Sequence, residues 1–210
     1  RRRRRSTRLS RRRRRVSALE VALRRIVSLL DEAGATCALI GGLAVSVRPA
    51  PRFTRDVDLA VAAATDADAE ALVQRLLTAG CTVISTVEQA AVGRLATVRL
   101  VTGAAAGPVI DLLFASSGIE AEVIARAERL EVLDGFEIPV ATTPDLIALK
   151  LLSRDDTLRP QDVVDLRGLI AHATDADLAR ARRAAALITA RGFHRGRDLG
   201  LELQRVLRQP

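Results

Sequence analysis

Two aspartates one residue apart, Asp56 and Asp58, are the side chains of this 210-residue sequence best suited to chemistry. They begin an apolar run, and if that run is a strand, both side chains point to the same face. Carboxylates about 5–7 Å apart repel by a few kcal/mol near a protein surface, so a fold keeps such a pair mainly where a divalent cation lies between them. Mg²⁺ suits these oxygen ligands and is usually shared with substrate phosphates. The pair predicts an Mg²⁺-dependent enzyme that uses a nucleoside triphosphate (NTP).

A glycine pair, Gly41 and Gly42, stands thirteen residues before the aspartates and directly after the apolar run Cys37–Ile40. A short continuous apolar run is typical of a buried strand. Because glycine has no Cβ, backbone N–H groups at the end of such a strand can approach phosphates closely. We predict that Gly41 and Gly42 hold the β- and γ-phosphates and that the hydroxyl of Ser46 adds a contact. Close packing of the strand on a helix is the alternative reason for the glycines.

A third carboxylate, Asp111, lies inside the apolar run Val109–Phe114. We predict that it completes a metal-binding set with Asp56 and Asp58 and that it orients or deprotonates an attacking hydroxyl. The alternative is a single acid that faces solvent from an exposed strand face.

Lys150 is the only lysine in a sequence that contains 32 arginines, and it stands among leucine, isoleucine and alanine in a predicted helix. A compact ammonium, rather than a planar guanidinium, suits a triphosphate contact, so we predict that Lys150 binds nucleotide and takes part in catalysis. Arg154, one predicted turn later, would reach the same phosphates or form a surface ion pair. Asp162 and Asp165 would share one face of the next helix, which could also be a solvated face.

The elements that must position these side chains divide into an α/β half and a helical half. Helical spacing predicts a first helix that Gly34 stops, and Thr65 is predicted to cap a second helix that runs to Leu77. From Thr143 onward the pattern is helical. We predict an α/β domain over residues 16–140 and a helical subdomain over 141–210 that closes the nucleotide cleft. Strands are predicted over residues 36–40, 56–62, 81–87, 94–101, 109–114, 130–133 and 136–140.

The net charge of +8 comes from one end of the chain, because residues 1–15 contain eleven arginines and no acid, and the remainder carries −3. We predict that this Arg-rich tail is disordered; it is either an arm that binds nucleic-acid phosphates or an upstream extension. Cys37 and Cys81 each open an apolar run and are predicted to be small buried side chains, so we expect neither a disulfide framework nor a transition-metal site. No apolar stretch is long enough to span a membrane, and a cytoplasmic location is expected.

The motifs together resemble the nucleotidyltransferase superfamily and, more narrowly, the AbiEii-type nucleotidyltransferases, the toxins of many bacterial toxin–antitoxin and abortive-infection pairs. The resemblance covers roughly residues 20–170 and rests on five stretches: 39–42, 52–59, 110–112, 144–150 and 159–166. It implies an α/β fold with a mixed sheet flanked by helices, followed by a small helical subdomain. It also implies that Asp162 is functional, as an acid/base group or as the anchor of Lys150.

The resemblance implies a reaction as well: transfer of a nucleoside monophosphate from an NTP to an acceptor hydroxyl, with release of pyrophosphate. The implied acceptor is RNA, with a tRNA 3′ end first, and the implied partner is a cognate antitoxin protein. A protein hydroxyl is another possible acceptor. Two other functions stay open at this point: transfer to a small molecule such as an aminoglycoside, and a non-catalytic nucleotide-binding module.

Overall fold

The chain builds a seven-stranded mixed sheet. The computed structural model describes residues 17–48, 54–90, 92–103, 107–155 and 160–208; the predicted Arg-rich tail lies outside the described residues. The strands are β1 Cys37–Ile40, β2 Val57–Val61, β3 Cys81–Gln89, β4 Arg94–Thr102, β5 Ile110–Leu113, β6 Glu128–Leu133 and β7 Phe136–Val140. Their order across the sheet is β3-β4-β5-β2-β1-β7-β6.

The sheet mixes parallel and antiparallel neighbours in a way that brings three distant sequence segments together. β2 runs antiparallel to β1 and parallel to β5, and β5 runs antiparallel to β4. In this register Asp58 lies opposite Ile40 on one side and opposite Asp111 on the other. Asp58 and Asp111, two of the three residues predicted to form a carboxylate set, are therefore neighbours on adjacent strands, although they lie 53 positions apart in the sequence.

Eight helices are described, and they pack on the sheet and on one another. Their bounds are α1 Ala18–Glu32, α2 Gly41–Ser46, α3 Asp66–Thr78, α4 Glu120–Arg126, α5 Thr143–Ser153, α6 Pro160–Ala171, α7 Asp175–Ala190 and α8 Leu199–Arg208. The predicted cap of α3 is present: the Thr65 hydroxyl accepts from the Asp68 N–H at 3.2 Å, and the Asp68 carboxylate accepts from the Thr65 N–H at 3.0 Å. Within the described residues, no helix combines the length and apolar composition that a membrane span requires.

The core consists of aliphatic side chains, as the near absence of aromatics in the sequence requires. All four residues of β1 are buried, and Leu39, Leu59 and Leu112 on adjacent strands are inaccessible to solvent. Cys37 and Cys81 are free and buried, as predicted. The mixed sheet with flanking helices confirms the fold class predicted from the sequence.

Two local features differ from the sequence-based expectation. The short helix α4 was not predicted; its first turn is held by a buried acid, Glu120, rather than by an apolar periodicity. Helix α5 ends at Ser153, and Arg154 has extended backbone angles, so Arg154 does not continue the helical face of Lys150. The end of α5 is stabilised from another segment, because the Arg197 guanidinium donates to the carbonyls of Leu152 and Arg154, both at 3.0 Å.

Candidate active site

The predicted catalytic residues line a cleft of about 550 Å³ over one face of the sheet. Asp58 projects from β2, Asp111 from β5, and Asp56 lies immediately before β2 on the same side. Lys150 from α5 and Asp162 from α6 line the cleft as well. Cavities of this size hold small-molecule ligands, so the cleft is large enough for a nucleotide.

Asp58 has an unfavourable environment for a charge. Its partial burial, together with the neighbouring carboxylates of Asp111 and Asp56, raises its pKa from 3.8 to about 6, although Lys150 and the Gly42 N–H act in the opposite direction. The fold therefore keeps these carboxylates close together at a cost in stability. Such an arrangement is common where a ligand supplies the compensating positive charge.

The glycine pair makes room for Asp58. Gly41 has a left-handed backbone (φ +64°), and a Cβ at this position would lie 2.0 Å from Oδ2 of Asp58. The backbone N–H of Gly42 lowers the pKa of the Asp58 carboxyl and so favours its charged form. The close contact that requires Gly41 is therefore with a side chain of the neighbouring strand β2, not the strand-on-helix packing considered as the alternative from the sequence. Both glycines also line the cleft, so phosphate binding by the pair stays a prediction.

Ser46 lies away from the position that the sequence analysis gave it. Its hydroxyl donates to the Leu43 carbonyl at 2.7 Å, as a serine near a helix end commonly does, and it is not among the described residues that line the cleft. Arg154 is likewise outside that lining, because α5 ends one residue before it. A nucleotide contact from either residue stays a prediction that the geometry does not favour.

Asp111 is held by an arginine from the neighbouring strand. Arg99 on β4 lies opposite Asp111 in register, and its Nε and Nη2 donate to the two carboxylate oxygens, each at 2.8 Å. The bidentate bond, with further attraction from Asp56 and Asp58, raises the pKa of Arg99 above its ordinary value. The alternative in which Asp111 simply faces solvent is wrong, because its side chain is only 13% exposed and is paired.

Lys150 lies in a buried ionic cluster. Its Nζ is 2.5 Å from Oδ1 of Asp162 and 2.9 Å from Oδ2 of Asp165, and all three side chains are buried. The Ser153 hydroxyl donates to the second oxygen of Asp162 at 3.2 Å. The alternative of a solvated helix face for Asp162 and Asp165 is therefore wrong. The geometry matches the predicted anchoring of Lys150 by Asp162, and a catalytic role for Asp162 stays a prediction.

Several residues of the cleft wall were not predicted. Ser116 and Ser117 follow β5, and the buried Glu120 carboxylate accepts from both of their N–H groups, at 2.9 and 2.6 Å. Arg195, in the turn between α7 and α8, reaches the carbonyl and hydroxyl of Ser116 at 3.3 Å. For Arg99 the sequence held a signal, the alternation of polar and apolar residues along β4. For Arg195 it held none, because only tertiary packing brings the turn to the cleft.

The carboxylates suit a divalent cation that is shared with a substrate. Among the described residues, no three acidic, histidine or cysteine side chains are already gathered into a metal site. Asp56 and Asp58 offer the oxygen ligands that Mg²⁺ prefers, and a cation beside Asp58 would relieve its repulsion by Asp111. Such a partial ligand set fits Mg²⁺ that arrives with phosphate oxygens better than an ion held by protein alone.

Comparison with solved structures finds similar folds at low sequence identity. The solution structure of the antibiotic-resistance factor ANT(2'')-Ia is 20% identical with a TM-score of 0.51, and the match covers 80% of this chain and 90% of that chain. A crystal structure of ANT(2")-Ia in complex with adenylyl-2"-tobramycin is 16% identical with a TM-score of 0.50, over 80% and 95% of the two chains. An antigenic nucleotidyltransferase-like protein from Paracoccidioides brasiliensis is 18% identical, over 87% and 88%, with a TM-score of 0.47.

The two likenesses with TM-scores of 0.51 and 0.50 support the nucleotidyltransferase fold. No curated protein sequence matches the chain. The profile of one family, described as "Nucleotidyl transferase AbiEii toxin, Type IV TA system", matches residues 22–210, which is most of the sequence. Because this match spans most of the sequence, the chain belongs to the AbiEii nucleotidyltransferase toxin family.

Proposed function

We propose that this protein transfers a nucleoside monophosphate from an NTP to the 3′ hydroxyl of an RNA, with a tRNA 3′ end as the acceptor, and that it acts as the toxin of a toxin–antitoxin pair. The observation that carries the proposal is the juxtaposition of Asp58 and Asp111 on adjacent parallel strands, in a cleft that Lys150 also lines. Membership of the family implies an NTP substrate and an antitoxin partner.

Each residue has a defined part in the proposed reaction. Asp56, Asp58 and Asp111 would hold Mg²⁺, which when bound neutralises charge that develops on the α-phosphoryl group and on the leaving pyrophosphate. Gly41 and Gly42 leave space for the phosphates, and Lys150 binds them while Asp162 fixes its position. The acceptor oxygen forms a bond to the α-phosphorus as the bond to pyrophosphate breaks, and Asp111 receives the hydroxyl proton.

The charges of the cleft favour RNA over an aminoglycoside as acceptor. The described lining contains four acids, Asp56, Asp58, Asp111 and Asp162, and four bases, Arg55, Arg99, Lys150 and Arg195. Three acids are assigned to the metal set and the fourth holds Lys150. Among the described lining residues, no carboxylate is left for a polycationic acceptor, whereas the arginines suit an acceptor that carries phosphates. The complete carboxylate set argues against a non-catalytic module.

Label transfer tests the reaction. The protein is incubated with Mg²⁺, each α-labelled NTP and total bacterial tRNA, beside the Asp56→Ala/Asp58→Ala variant. A charge-matched control is Asp31→Ala/Asp134→Ala, which removes two exposed acids outside the cleft lining. We expect label in RNA with the wild type and the control, and none with the active-site variant or with excess chelator. Label in protein or in added aminoglycoside instead would show that the acceptor is wrong.

The toxin role has its own test. Induced expression of the wild type in a bacterial host should arrest growth, and expression of Asp56→Ala/Asp58→Ala at the same level should not. Equal growth of the two strains, in the presence of measurable label transfer in vitro, would contradict the toxin role while leaving the reaction intact.

A further inference from the structure

Arg99 is a cleft residue that the proposed reaction leaves without a substrate contact. Its Nε and Nη2 are bonded to Asp111, while its side chain is 45% exposed and lines the cleft. A guanidinium has five N–H donors in a planar fork, so a bidentate bond to one carboxylate leaves the Nη1 edge able to bind a second anion. Arg99 can therefore hold Asp111 and contact a ligand at the same time.

The register of the sheet places Arg99 at one end of the carboxylate row. Arg99, Asp111 and Asp58 are consecutive partners on β4, β5 and β2, and adjacent strands are about 4.8 Å apart. Gly41 packs against Asp58 from the opposite end, and the ammonium of Lys150 acts on Asp58. Gly41, which is assigned to the triphosphate, thus lies beyond Asp58, and Arg99 lies beyond Asp111, the group assigned to the attacking hydroxyl.

We infer that Arg99 binds a backbone phosphate of the acceptor RNA while it holds Asp111 beside the attacking 3′ hydroxyl. This inference rests on the proposed function and names the acceptor end of the cleft. The 3′ end of a nucleic acid carries a phosphodiester one sugar away from its terminal hydroxyl, so an arginine next to the proton acceptor is within reach of it. Arginine suits this contact because its planar fork matches phosphate oxygens.

A matched control lies on the same strand. Arg94 begins β4 and pairs with Asp66 at 3.1 Å, with partial exposure similar to that of Arg99. It follows the parity of the buried residues Ala96 and Val98, so it projects from the opposite face and does not line the cleft. Arg94→Ala removes an arginine from the same strand and breaks its salt bridge to Asp66. It leaves the residues at the proposed acceptor end unchanged.

The test measures RNA binding apart from catalysis. Affinity for a labelled RNA stem with a single-stranded 3′ end is titrated in the presence of Mg²⁺ and a non-transferable NTP analogue, for wild type, Arg99→Ala, Arg99→Lys and Arg94→Ala. We expect Arg99→Ala to weaken RNA binding about tenfold or more, as the loss of a charge-assisted hydrogen bond does. The slope of log affinity against log salt should fall by roughly 0.7–1. Arg99→Lys should recover part of the affinity.

RNA affinity, NTP affinity and nucleotidyl transfer are compared among the variants. Arg94→Ala should bind RNA like the wild type, and Arg99→Ala, Arg99→Lys and Arg94→Ala should all bind the NTP analogue like the wild type. If Arg99→Ala loses NTP affinity instead, it is a triphosphate ligand, and if it loses only transfer, it only positions Asp111; either result overturns the inference. Wild-type protein that fails to bind RNA also overturns it. The label-transfer assay on the same preparation separates that result from a failure of the proposed nucleotidyl transfer.

Discussion

The sheet side and the helical side of the cleft differ in how far their charges are compensated by neighbouring residues. On the sheet, Asp58 and its neighbouring carboxylates repel one another, and Asp58 has its pKa raised to about 6. On the helices, Lys150 is enclosed by Asp162 and Asp165 at 2.5 and 2.9 Å, and all three are buried. On the sheet side Arg99 pairs with Asp111, but the environment of Asp58 still favours a cation from outside, whereas the helical side supplies its own counter-ions.

This difference separates charges that stabilise the fold from charges that serve the reaction. A repelling set is retained at a cost in stability, and such sites are commonly functional. A buried ion pair is costly to break because the remaining partner stays buried without compensation. Removing the Asp58 carboxylate should therefore harm activity and spare the fold, and removing the lysine should harm both.

The largest expected effect is on activity. Asp58→Asn should reduce nucleotidyl transfer by about a thousandfold or more, because it removes a metal ligand and the charge that the transition state requires. The same variant should be more stable than the wild type near pH 8 in chelator. Denaturant unfolding and label transfer, measured on one preparation, would check both effects. A loss of stability in this variant would contradict the proposed difference between the two sides of the cleft.

The pH dependence of that gain follows from the raised pKa. Because the folded state favours the protonated Asp58 carboxyl, its contribution to stability is complete below about pH 4 and is lost as pH rises through about 6. Asp58→Asn keeps a neutral side chain at every pH. Its advantage over the wild type should be about 1–2 kcal/mol near pH 8 and should vanish near pH 4, as unfolding measured across this range would show.

Lys150→Met should destabilise the protein by about 3–5 kcal/mol, because Asp162 and Asp165 would remain buried without their cation. Adding Asp162→Asn and Asp165→Asn should restore much of this loss without restoring transfer. The measurement is the denaturant midpoint of the single and triple variants. Unchanged stability in Lys150→Met would mean that the two carboxylates do not depend on Lys150.

Gly41→Ala should destabilise by roughly 2–4 kcal/mol and displace Asp58, because the added Cβ meets that side chain and φ is left-handed. Gly34→Ala is the matched control: its φ is +70°, but no atom lies within 4 Å of the added Cβ. It should cost only about 1 kcal/mol and leave transfer unchanged. Similar losses in thermal unfolding would indicate that backbone strain, not the contact with Asp58, requires Gly41.

The smallest effect concerns the support of the helical side. Ser153→Ala removes one hydrogen bond to Asp162 and should cost about 1 kcal/mol. Transfer should fall by less than threefold, since Lys150 still holds the other oxygen of Asp162. A large loss of activity with unchanged stability would show that Ser153 itself contacts the substrate.

The sequence allowed accurate prediction wherever local pattern decides structure. The cap at Thr65, the glycine after α1 and the strands β6 and β7 follow from short-range residue preferences and were predicted. Helix α4 was not, because its start depends on Glu120 bonding the backbone of Ser116 and Ser117. The end of α5 before Arg154 was also missed, since Arg197, more than forty residues later, caps it.

By itself the sequence determined the carboxylates, the glycine pair and the unusual lysine, because their types and spacing reflect chemistry that few other residues can perform. Only the tertiary structure decided what each one touches. Strand pairing placed Arg99 on Asp111, and helix packing enclosed Lys150 between Asp162 and Asp165. Packing also brought Arg195 to the cleft and kept Ser46 and Arg154 out of its described lining. These contacts join residues that are far apart in the chain, so no local pattern records them.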